Sequence, residues 1–223
     1  MNYQVTGNEY VALPTLREAD AALEGLSFLH MGAKGMLELR GTQERPLLAP
    51  FVQRAGSEVP LEGLRWERLH SWIPRFTAEL CGLALEGILL TPIDERGFGW
   101  RLRATNREAA AEITLGLRGT WAQTLHSVNE SKPVETEKHL YPSGWNHCHV
   151  MDLRPGLSLF AFAPIYTEQP EHCPIRSQFE RAGEEIHYCI ERQQTLAAGE
   201  TLELTVWFGL GFEEVSAATS AKE

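Results

Sequence analysis

The chain has 223 residues, 43% hydrophobic and 22% charged, with 20 Lys and Arg against 30 Asp and Glu for a formal net charge of -10. These ordinary globular values exclude a disordered chain or a coiled coil, and a field of that sign repels phosphate backbones and anionic lipid, so neither nucleic acid nor membrane is expected as a partner. The longest apolar runs, 83–90 and 157–164, fall far short of the roughly 20 residues that a membrane-spanning helix needs.

Residues 1–10 are polar, with neither a basic nor an apolar leader segment, and a cytoplasmic location is expected. Four cysteines, Cys81, Cys148, Cys173 and Cys189, are scattered without a CxxC pair, which favours reduced thiols. In residues 15–26, Thr15 and Glu18 have capping-box spacing ahead of Ala22, Leu23 and Leu26, which predicts a short helix. From Lys34 the period changes to two: Met36, Leu37 and Leu39 form one strand and residues 47–52 the next, separated by the turn formers of 41–46.

The clearest strand is Phe98-Gly-Trp-Arg-Leu-Arg-Ala-Thr-Asn106, where Phe98, Trp100, Leu102 and Ala104 share one face and Arg101, Arg103 and Thr105 the other. It pairs with the run 79–91 across the polar connection 91–97 as a long hairpin. A second hairpin is expected across the turn 106–109, since Ile113, Leu115 and Leu117 again alternate with polar residues. Residues 129–144 form the longest loop candidate, a natural place for a ligand contact. Residues 146–153 and 157–164 pair across Pro155 and Gly156. Residues 177–184 read as a helical turn, and residues 185–194 pair with 201–208 across 197–200. Residues 212–223 have helix propensity and early acids without a stop signal. The expected fold class is therefore all-β: a large antiparallel β-sandwich with one or two short helices, residues 1–212 forming the sandwich and 213–223 opening a linker helix.

The most conspicuous candidate cluster is Trp145-Asn-His-Cys-His149. On a strand, residues two apart share a face, so His147 and His149 can jointly grip a metal or flank a sugar ring. The H-x-H strand is similar to that of the cupin family, with Asp152 three residues beyond, but the Glu and second motif of that family are missing. Paired carboxylates such as Asp94 and Glu95 read as solvated faces, and no nucleophile elbow, P-loop or dinucleotide fingerprint occurs. No cofactor and no resident metal are expected. Six tryptophans offer flat indole faces to pyranose rings; Trp121 and Trp145 bracket the long loop and are expected to be exposed. With Asn146, His147 and His149 they make the candidate carbohydrate contacts. Trp100 is expected in the core.

The runs Trp100-Arg-Leu-Arg-Ala-Thr-Asn106 and Ile113-Thr-Leu-Gly-Leu-Arg-Gly-Thr-Trp121, with the exit Trp207-Phe-Gly-Leu-Gly-Phe-Glu-Glu-Val215, resemble the N-terminal sandwich of glucoamylase and glycogen-debranching-type glycosidases. There a galactose-mutarotase-like supersandwich precedes a six-hairpin (α/α) barrel. The resemblance implies a non-catalytic domain of a glycoside hydrolase, whose partners are a C-terminal helical catalytic domain of the same polypeptide and an oligosaccharide. Catalytic carboxylates in those families belong to the barrel, so no catalytic residue transfers to this chain. Two other readings stand beside it: a stand-alone carbohydrate-binding or mutarotase-like epimerase, with His147 or His149 as acid and Glu191 as base, and a cupin-like metal protein using His147 and His149.

Overall fold

The computed structural model describes residues 2–30, 35–126, 132–133, 137–142, 149–154, 160–166 and 173–211, and all regular structure among them is β-strand. The first strands are β1 (Tyr3–Gly7), β2 (Val11–Arg17), β3 (Gly25–His30), β4 (Gly35–Arg40), β5 (Ala49–Arg54) and β6 (Ser57–Glu58). Then come β7 (Arg65–Leu69), β8 (Ile73–Leu80), β9 (Leu83–Leu90), β10 (Gly97–Asn106), β11 (Ala111–Trp121), β12 (Gln123–His126) and β13 (Lys132–Pro133). The last are β14 (Glu137–Pro142), β15 (His149–Arg154), β16 (Phe160–Tyr166), β17 (Arg176–Ala182), β18 (Glu185–Leu196) and β19 (Thr201–Gly211).

They form a six-stranded sheet in the order β1-β2-β3-β4-β12-β13, an eight-stranded sheet β14-β15-β16-β19-β10-β9-β8-β7 and a five-stranded sheet β17-β18-β11-β5-β6. The alternation of β10 is as expected: Phe98, Trp100, Leu102 and Ala104 are all at most 2% exposed. They meet Ile113, Leu115 and Leu117 of β11 and Ile186, Tyr188 and Ile190 of β18, so the eight- and five-stranded sheets pack face to face as a sandwich. Each fully buried large apolar side chain contributes about 1.5–3 kcal/mol. Buried side chains of the six-stranded sheet, among them Leu13, Leu16, Phe28 and Leu37, belong to the same contiguous core.

Several local expectations are overturned. The predicted helix over 15–26 is instead the end of β2, a turn and the start of β3. Thr15, expected to cap a helix, uses its hydroxyl to accept from Gly25 N–H and donate to Gly25 C=O, both at 2.9 Å. Leu23 forms isolated bridges with Leu16 and Leu48, so backbone pairing with distant residues wins over local helix propensity. Residues 177–184 are β17 with its turn, again without helix. The run 79–91 is broken at Cys81-Gly82, which turn the chain from β8 into β9 with φ of 47° and 74°. Within the expected long loop, β13 pairs with β12 and β14 with β15. Residues 212–223 lie outside the described residues.

Two predicted hairpins are corners between sheets. β10 bonds to β9 and β19, whereas β11 bonds to β5 and β18, so residues 106–109 cross the sandwich. Residues 197–200 do the same between β18 and β19. Alternation is identical in either arrangement, because facing sheets and paired strands both need one apolar face. Asn106, fully buried, knots the two corners. Its Nδ2 donates to the carbonyls of Leu196 (2.9 Å), Ala109 (3.0 Å) and Glu108 (3.2 Å). Its backbone N–H donates to Glu200 C=O at 3.0 Å, and its C=O accepts from Gly199 N–H at 2.7 Å.

Candidate functional site

Of the candidate contact residues singled out in the sequence, Trp121 and His149 are among the described residues. Trp145, Asn146 and His147 lie outside them. Trp121 is 0% exposed, against the expectation of a solvent-facing indole. It ends β11 on the core side, its Nε1–H donating to Thr124 Oγ1 at 2.9 Å, with the Lys138 ammonium 5.6 Å from its ring centre. That ammonium donates to Ala122 C=O (2.7 Å) and Glu184 C=O (2.5 Å), and burial holds its pKa below the ordinary lysine value.

His149, on β15, stacks on Phe179 with ring centres 4.3 Å apart, and Phe179 stacks in turn on Tyr188 at 6.2 Å. Burial lowers its pKa from 6.5. Glu191, its suggested base, lies on β18 three residues beyond Tyr188, and so on the opposite face of that strand, near the Cys189 thiol. Burial pushes that thiol up to about 11. The acid and base of the epimerase reading therefore do not converge through His149. No three His, Cys, Asp or Glu side chains of the described residues are grouped to hold a metal ion. Cys81, Cys173 and Cys189 are free thiols; Cys148 lies outside the described residues.

A concavity lies elsewhere among the described residues, over the face of the eight-stranded sheet that points away from the core. It is a groove of about 710 Å³ walled by β7 to β10. Register arranges this face in rows that cross the strands. One row runs Arg65, Thr77, Glu86, Arg103, Glu203 through β7, β8, β9, β10 and β19. On one side of it stand Glu79, Ala84, Thr105 and Thr201; on the other, Glu67, Arg75, Ile88, Arg101 and Thr205. Beyond these the face turns apolar, with Leu90 opposite Gly99 and Gly99 opposite Trp207.

A charge ladder spans five strands here. Arg75 binds Glu67 and Glu86, while Arg103 sits 3.7 Å from Glu86 and 3.3 Å from Glu203. The two carboxylates raise the pKa of Arg75, chiefly through the hydrogen bonds it donates to Glu86 and then to Glu67. Each carboxylate of the ladder is gripped by a permanent cation, an arrangement that presents paired donors and acceptors to a ligand. The alternation of 98–106 already put Arg101, Arg103 and Thr105 on this wet face; the Glu86, Arg75 and Glu203 partners need the register and were missed.

No family model matches the sequence, and no curated protein matches it. Solved structures do. One is named as a kojibiose phosphorylase from the human microbiome, with a TM-score of 0.60 and 11% identity over 98% of this chain and 32% of that one. Another is named as an aldose 1-epimerase from Escherichia coli K12, with a TM-score of 0.59 and 11% identity over 94% of this chain and 99% of that one. This chain thus spans about a third of the length of the first and nearly all of the second. At this identity the likenesses establish the fold alone, a galactose-mutarotase-like β-sandwich.

Proposed function

We propose that this chain is the N-terminal β-sandwich unit of a glycoside hydrolase of glucoamylase or glycogen-debranching type, packed on a helical-barrel catalytic domain of the same polypeptide and shaping the approach of an oligosaccharide without a catalytic step of its own. The observation that carries the reading is the ladder: Glu67, Glu86 and Glu203 are committed to Arg75 and Arg103. A general acid or base needs a carboxylate oxygen free to reach the substrate proton, and these oxygens are already engaged by arginine donors. The correspondence of nearly the whole chain to about a third of a protein named as a kojibiose phosphorylase agrees with it.

The test is polarimetry of freshly dissolved α-anomers of glucose and galactose with the purified chain, beside a reading of the coding sequence after codon 223. Mutarotation at the buffer rate, and an open frame that encodes paired amphipathic helices, are the expected results. A protein-catalysed rate that falls on Glu86→Gln would overturn the proposal. It would establish the second reading, a stand-alone aldose epimerase, which is favoured by the 99% coverage of the Escherichia coli protein.

A further inference from the structure

Among the described residues, three large apolar side chains stand out in water: Tyr3 at 39%, Val5 at 52% and Ile93 at 66% exposed. Scattered singly, such residues need no explanation. These three belong to one strand and the loop tied to its end. Tyr3 and Val5 are two apart on β1 and share a side of it. Ile93 lies in the loop 91–97, which is bonded to the turn that follows β1. Asn8 Nδ2 donates to the carbonyls of Pro92 (2.5 Å) and Glu95 (2.8 Å), and Glu9 Oε1 accepts from Asp94 N–H at 2.7 Å. The buried hydroxyls of Thr6 and Thr91 meet at 3.1 Å, and Asp94 is held in the left-handed region at a φ of 67°. A tip fixed by so many bonds has little freedom left to lose when another surface covers it, which favours docking.

The opposite end of the sandwich is polar. There the β8–β9 turn and the corner 106–109 are closed by Arg54, whose Nη1 donates to Cys81 C=O and to Glu108, and by Asn106. The chain also leaves the sandwich at the Ile93 end. Gly209 pairs with Gly97, and Leu210 N–H donates to Arg96 C=O at 2.8 Å, so β19 runs its last residues alongside the base of the loop 91–97. Polypeptide beyond Gly211 therefore starts next to that loop. Residues 212–223 reach at most about 40 Å even when fully extended, and a tether that short keeps whatever it carries at a high effective concentration around the tip.

We infer that Ile93 and Val5 form the surface on which the helical domain that follows β19 docks, with Tyr3 extending the contact along β1. The acids Glu9 and Asp94, both exposed, and the half-buried Glu95 accompany Ile93 at this end. The helix face that fits therefore has an apolar centre for the isoleucine and valine and carries lysine or arginine at its rim. This inference rests on the reading above, in which a helical barrel of the same polypeptide packs on the sandwich, and it names the surface that the barrel covers.

The experiment compares the 223-residue chain with the polypeptide encoded by the whole reading frame, each carrying Ile93→Cys, by maleimide labelling resolved peptide by peptide in a mass spectrometer. The thiol at position 93 should react at least about tenfold more slowly in the longer polypeptide, where labelling must wait for the interface to open. Cys81, exposed at the other end of β9, should react at the same rate in both and serves as the internal standard. Ile93→Lys should lower the melting temperature of the longer polypeptide by about 2–4 °C and leave that of the 223-residue chain unchanged, because there the side chain already stands in water. An equal labelling rate at position 93 in a polypeptide that does carry a helical domain would overturn the docking surface and leave the domain assignment standing. A reading frame that encodes no helical domain would overturn both. Labelling of the 223-residue chain that slows as its own concentration rises would give the surface to a second copy, and would overturn the inference as well.

Discussion

Replacing Asn106 by Asp tests whether the two corners of the sandwich are held by one side chain. The carboxamide is fully buried and its Nδ2 faces three carbonyls, at 2.9, 3.0 and 3.2 Å, while Oδ1 accepts from Glu108 N–H at 3.2 Å. Asp keeps the shape and the acceptor but turns the donor into a second acceptor, so all three carbonyls then face a carboxylate. An unpaired buried charge of this kind costs about 3–5 kcal/mol, a large fraction of the roughly 5–15 kcal/mol that holds a domain together. The carbonyls and the lost solvation both raise the folded-state pKa of the new acid above its unfolded value. The folded state then binds more protons than the unfolded state, so stability falls as pH rises through that window and recovers on acidification, when the protonated acid can again donate one bond. Asn106→Ala lacks the charge and should cost less, about 2–4 kcal/mol, without the pH dependence. Urea unfolding followed by tryptophan fluorescence between about pH 5 and 8 reads both quantities. An Asp variant within about 1 kcal/mol of the parent, or a deficit that ignores pH, would refute the knot.

Three further substitutions probe other parts of the fold. Cys81→Asn should stabilise the β8–β9 hairpin by about 0.5–1 kcal/mol, since Cys81 carries a φ of 47° that Asn accepts more readily; a melting temperature that does not rise would count against a strained turn. Gly116→Ala should cost about 1–3 kcal/mol, because the new methyl would lie 2.4 Å from the Phe51 ring and 2.9 Å from Ile190 C=O, and chemical denaturation gives the figure directly. His149→Phe keeps the stack on Phe179 but removes the titration. As burial depresses the folded pKa of His149 below 6.5, the parent binds fewer protons folded than unfolded and loses stability as pH falls from 6.5 towards that lowered value. The variant should therefore gain on the parent as pH falls through that window and keep the gain below it, and parallel pH–stability curves would be the contrary result.

Much of the architecture was legible because alternation is a direct consequence of a two-residue repeat with one dry face. It located β10 to within a residue, found the central parts of β11 and β19, and put Trp100 in the core. It could not tell a hairpin from a corner, because β11 looks the same to its own sequence whether it bonds to β10 or faces it across the sandwich. What decides is Asn106, whose three carbonyl partners lie on either side of a 90-residue separation. Nor could local propensity recognise β2 and β3: Thr15 and Glu18 have the spacing of a helix cap, but the hydroxyl of Thr15 finds Gly25 on the neighbouring strand. Short signals fail where a distant partner offers the backbone a better set of bonds.

The site was harder to read for a related reason. Histidine and tryptophan attract attention as residue types, yet of those singled out within the described residues, Trp121 and His149 are spent on packing, one against a buried ammonium and one against Phe179. Arginine and glutamate on a wet strand face attract none, since the bland expectation for each is a solvated charge. Their meaning is relational. Arg101 and Arg103 are two residues apart on one strand face and equivalent in sequence, but the register sets Glu86 and Glu203 opposite Arg103, and Ile88 and Thr205 opposite Arg101. A shift of two residues in the pairing of β9 and β19 with β10 would exchange their roles, leaving Arg103 unpaired and Arg101 in the ladder. The charge pairing of this face therefore depends on strand register, which no window of the sequence contains.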